Sequence, residues 1–207
     1  MKVLANILSI LFHPLLLVTY GVVIALYCTY LAVFPSAVKA LLIGGAFFST
    51  AFLPGLFIWI LVKNGQASDY ELTEKQQRVV PFLISIACVL GCTYYMYKMM
   101  MPTWFLALLG GCAVALLIAM IINFFWKISV HTLSAGCMLG GIMGVARIHL
   151  VNLYWAFIAV ILIAGLVAMA RIYLRKHTPM QVYAGFVLGF ICTFAASLMN
   201  FIYLFVQ

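Results

Sequence analysis

Of the 207 residues, 68% are hydrophobic and only 7% charged, and the mean hydropathy is +1.26. A soluble domain of this size carries roughly a quarter of its residues as charges, so water cannot be the main solvent and lipid must take its place. The net charge of +8 then points to phospholipid headgroups or an anionic substrate, and no nucleic acid partner is expected.

The apolar runs are 17 to 28 residues long. A helix of about 20 residues crosses a hydrocarbon core of about 30 Å, and lipid offers backbone groups no partners outside a helix. Seven spans are predicted, at 3–30, 40–62, 79–97, 103–126, 129–145, 153–170 and 182–206. The first lacks a rich basic leader and a small-residue cleavage site, so it reads as a retained span. Pro35 and Lys39 punctuate the first connection, and Pro102 divides the third span from the fourth. Gly136, Gly140 and Gly144 in the fifth span, and Gly185 and Gly189 in the seventh, recur every four residues. That spacing lines one helix face with small residues and lets a neighbour approach closely. The six cysteines fall inside apolar runs without metal or redox spacing and read as packing residues. No long linker divides the chain, so the expected fold is a single all-α domain over 1–207, a polytopic transmembrane helical bundle of six or seven spans.

If the spans alternate, one membrane face collects Lys2, Lys63, Lys75, Arg78, Lys127, Arg171, Arg175 and Lys176, with His131 and His177. All three carboxylates, Asp69, Glu71 and Glu74, lie there too, in the connection between the second and third spans. The opposite face holds Lys39, Lys98 and Arg147. Rare polar residues scattered at random would not gather on alternate connections. Guanidinium groups suit the oxygens of a phosphoryl group, and histidine serves as nucleophile or general acid near neutral pH. The combination points to phosphoryl transfer without a metal or other cofactor. His13 and His149 match no such pattern and read as interfacial polar residues, Arg175 and Lys176 as headgroup-facing cations, and Asn123, Thr132 and Ser134 as helix-packing hydrogen bonders.

Three segments carry a resemblance. Lys75-Gln-Gln-Arg78-Val-Val-Pro81, Ser129-Val-His131 and Arg171-x5-His177-x3-Gln181 are similar, in order and membrane side, to the three motifs of the type 2 phosphatidic acid phosphatase (PAP2) superfamily. Those motifs read Lys-x6-Arg-Pro, Pro-Ser-Gly-His and Ser-Arg-x5-His-x3-Asp. The third match is the strongest. The first departs in spacing, the second has Ile128 and Val130 for Pro and Gly, and Gln181 stands where the family has Asp. The resemblance covers about residues 69–189.

It implies a PAP2-like bundle and a metal-independent phosphatase acting on a lipid phosphate of polyprenyl, glycerophospholipid or lipid A type. His177 would attack phosphorus to form a phosphohistidine, His131 would protonate the leaving group, and Gln181 would orient His177. Lys75, Arg78, Lys127, Ser129 and Arg171 would hold the phosphate. Asp69, Glu71 or Glu74 is a candidate for the charge that Gln181 lacks. The implied location is a bacterial inner membrane, with the site at the periplasmic face and membrane lipids as the surroundings. Oligomeric state is left open. The alternative expectation is a catalytically impaired PAP2-like protein that binds or transports an anionic lipid.

Overall fold

The computed structural model describes residues 2–65, 76–149 and 152–206. Among these every regular element is helical. In chain order they are α1 (Lys2–Leu11), α2 (Pro14–Cys28), a 3-10 turn (Tyr30–Val33), α3 (Ser36–Phe47), a π-helical turn (Phe48–Phe52) and α4 (Leu53–Lys63), then α5 (Val79–Lys98), α6 (Thr103–Phe125), α7 (Val130–His149), α8 (Tyr154–Tyr173) and α9 (Pro179–Val206).

Among the described residues five helical stretches are long and apolar enough to cross a membrane, and six if the α1–α2 pair counts as one bent span. The predicted first span, 3–30, is therefore not a single straight helix. It breaks by 55° between α1 and α2, at His13-Pro14. Proline has no N–H to continue α1 and its ring is preorganised for the first position of a new helix. The second span is one 28-residue helix, Ser36–Lys63, that passes Pro54 through the π-helical turn. There Ser49 and Thr50 hydroxyls donate to the carbonyls of Gly45 and Ala46.

The predicted fifth span, α7, has 20 residues but is not among the apolar set. Its position explains the difference. It packs against α2, α6, α8 and α9, and most residues from His131 to Val145 are buried. A helix wrapped by protein meets little lipid and can carry glycines and hydroxyls. The outer helices instead expose large apolar side chains, among them Ile121, Phe125, Leu162 and Met169, as a lipid-facing surface does.

The α7–α9 seam brings two helix backbones into direct contact. A Cβ added at Gly136 would collide with the Phe186 carbonyl, one at Gly140 with the Phe190 carbonyl, and one at Gly189 with the Leu133 carbonyl. Thr193 Oγ1 crosses the seam to donate to Cys137 O at 2.9 Å. The four-residue glycine spacing does what it predicts, bringing two backbones together where dispersion and one buried hydrogen bond hold them.

Candidate functional site

His177 owes its position to the end of α8. Lys176 N donates to Arg171 O at 3.1 Å and Arg175 N to Ile172 O at 2.9 Å, with Arg175 at φ 54°. This is a Schellman ending, which reverses the chain within a few residues and returns His177 toward Arg171. A left-handed backbone at an arginine costs about 1–2 kcal/mol relative to glycine, so the turn needs support from the segment on its C-terminal side.

That segment is a helix start. Thr178 is the N-cap of α9, Pro179 its first residue and Gln181 its third. Thr178 N donates to Gln181 Oε1 at 3.1 Å, and Gln181 N faces Thr178 Oγ1 at 3.5 Å. The arrangement is a capping box. Because Gln181 Oε1 already accepts from a backbone N–H, its 3.1 Å contact with His177 Nδ1 requires that nitrogen to carry the proton. The Nε2 lone pair is then left for other partners. Burial, followed by the charge of Arg78, lowers the His177 pKa from 6.5 to about 3, against the opposing Gln181 hydrogen bond. The ring is neutral at physiological pH.

Two further elements close on this turn. Arg78 opens α5 and donates from Nη1 to Ile128 O at 3.0 Å, tying the α5 start to the residues before α7. Ser129 N donates to Gln181 O at 3.3 Å, which docks the α7 start on α9. His131 is the second residue of α7 and takes electrostatic influence from Arg171, His13 and His177. Arg78, His131, Arg171 and His177 are all buried and all line one cavity of about 210 Å³. Four polar side chains, far apart in sequence, converge at one end of the bundle.

The remaining predicted positions differ from these. Ser129 is fully buried beside the cluster but is not among the cavity-lining residues, and a Cβ at Gly185 would meet its carbonyl. Lys127 is half-buried and acts electrostatically on His177 without lining the cavity. Lys75 and the candidate carboxylates Asp69, Glu71 and Glu74 lie outside the described residues. Arg175 is exposed. His149 ends α7, 18 residues beyond His131 and so about 27 Å away along the helix.

His13 is the residue that sequence reasoning misplaced. It lines the same cavity, and its ring meets His131 edge-on, with centroids 5.3 Å apart at 78°. Its Nδ1 accepts from Leu15 N at 3.4 Å as the N-cap of α2. The sequence did hold a signal: a polar residue directly before proline inside an apolar run marks a helix start, and the broken helix turns that residue inward. Comparison with protein-family models, with curated proteins and with solved structures finds no match to this chain.

Proposed function

We propose that the chain is a membrane-embedded lipid phosphate phosphatase of the PAP2 type, working through a phosphohistidine. One observation carries the reading: His131, His177, Arg78 and Arg171 are buried together around a single cavity at one end of an apolar helical bundle. Two buried guanidinium groups beside imidazoles on one cavity wall suit an anion of phosphate size.

The steps follow from the tautomer and the charges. Arg78 and Arg171 draw the phosphate oxygens and offset the charge that builds on them during transfer. His177 Nε2, its proton held on Nδ1 by Gln181, attacks phosphorus. The bond from phosphorus to the lipid oxygen breaks, and the leaving oxygen takes a proton from His131, which enters the step as the imidazolium beside the bound phosphate anion and leaves it neutral. Water then attacks the phosphohistidine while His131, having given up that proton, accepts one from the water, and inorganic phosphate departs with His177 restored. Gln181 fixes the orientation of the ring, as the Asp of the family motif would, but supplies no charge to a cationic imidazole. The reading carries with it a bacterial inner membrane and a site at the periplasmic face.

The test is phosphate release from a panel of lipid phosphates by purified protein, with and without EDTA, beside His177→Ala. Chelator-resistant release that falls at least about 1,000-fold in the variant supports the phosphatase. Saturable binding of the same lipids without turnover would replace it with an anionic-lipid binding protein.

A further inference from the structure

The cavity does not end at the polar cluster. Its wall on α2 runs from His13 to Thr29 and its wall on α7 from Val130 to Val145. At 1.5 Å per residue these are about 24 and 22 Å, so two helices independently give it nearly the thickness of a hydrocarbon core. The space is therefore elongated, a tunnel between helices that is open along part of its side. Beyond the His and Arg end the lining is mainly Leu, Val, Ile, Ala and Phe, and four of the five hydroxyls that intervene, Ser85 being the fifth, donate to backbone carbonyls. Thr29 Oγ1 donates to Ala25 O, Thr50 to Ala46 O, Ser134 to Val130 O and Thr193 to Cys137 O, at 2.6 to 2.9 Å. A tunnel lined this way offers little to water and much to a hydrocarbon.

We propose that this tunnel binds one linear hydrocarbon chain, isoprenoid or alkyl, inside the bundle, with the chain's polar head at the His13, His131, His177, Arg78 and Arg171 end. The phosphate at that head rests on the phosphatase reading, whereas the chain site rests on the cavity. The ligand class is a single-chain lipid. A diacyl lipid would have to leave its second chain outside.

Gly141 supplies a way to shorten the tunnel. It lines the cavity ten residues beyond His131, about 15 Å along α7, and a Cβ there would stand at an ordinary 3.7 Å from Leu108. Gly141→Leu therefore blocks the far part of the tunnel, as does Ala25→Leu on α2, a second variant in case the first fails to fold. The probes are geraniol and geranylgeraniol, which carry no phosphate, and dioleoyl phosphatidate, each added to the purified full-length protein. Thermal midpoints are read in detergent. Geranylgeraniol is expected to raise the wild-type midpoint more than geraniol does, and the ratio of the two shifts should fall at least three-fold in the blocked variants. Equal shifts from both alcohols in wild type, an unchanged ratio in the variants, or stabilisation by the diacyl lipid alone would overturn the tunnel. Hydrolysis of the two prenyl monophosphates is measured in parallel. No release, with the alcohol shifts intact, rejects the phosphatase and leaves the chain site standing.

Discussion

His177 carries two duties that are set by its neighbours rather than by its own chemistry. Gln181 places its proton on Nδ1, and burial beside Arg78 keeps it uncharged down to about pH 3. The unfolded chain has its imidazole near the ordinary 6.5, so below that pH a proton binds the unfolded state and not the folded one. Stability must then fall as pH drops from about 6.5 toward 3, by at most about 1.4 kcal/mol per pH unit for this one group. Melting of wild type and His177→Gln between pH 7 and 4 checks this, and the variant is expected to lose several degrees less. His13 makes a second prediction. His13→Asn keeps an acceptor for Leu15 N but removes the ring edge against His131. If the chain is the phosphatase proposed above, kcat is expected to fall about 10-fold with KM nearly unchanged, read in the phosphate-release assay; an unaltered kcat would make the ring contact packing only.

Helix ends place the site, and helix seams hold it. The α8 ending uses Arg175 at φ 54° where glycine would be unstrained, so Arg175→Gly should raise thermal stability, by up to about 1 kcal/mol. A glycine that frees His177 from its turn would lower the midpoint instead. The α7–α9 seam predicts the opposite sign for added bulk. Gly140→Ala drives a methyl into the Phe190 carbonyl and Thr193 hydroxyl, at a cost of about 1–3 kcal/mol. Gly165→Ala on α8 meets nothing within 4 Å and should be neutral or slightly stabilising. Paired melting curves of the two variants distinguish seam packing from a general intolerance of α-helical glycine replacement. The repeat of small residues announced this seam in the sequence. The Schellman turn was not announced, because its left-handed position holds arginine instead of glycine, and the Thr178–Gln181 capping box was hidden inside a resemblance that assigned Gln181 only to His177.

For the whole molecule, the α5, α7 and α9 starts, the α8 end and the α1–α2 bend all lie at the site's end of the bundle. Cysteine substitutions at Lys127 and Lys176 should therefore label with a membrane-impermeant maleimide from the same side, and one at Lys98 from the other. Labelling of all three from one side would disprove the alternation of spans.

Hydropathy alone determined that the chain is helical and suited to lipid, since long apolar runs leave the backbone only internal partners. The order and spacing of His131, Arg171 and His177 were also legible, because residues at helix ends keep their membrane face whatever the packing. Tertiary structure decided the rest. It bent the first span so that His13 turned inward, sank α7 into the centre where its modest apolarity costs little, and left an elongated apolar space from the His and Arg cluster to Val145. Those features depend on which helices touch, and contacts between distant segments are not encoded in the periodicity of any one of them.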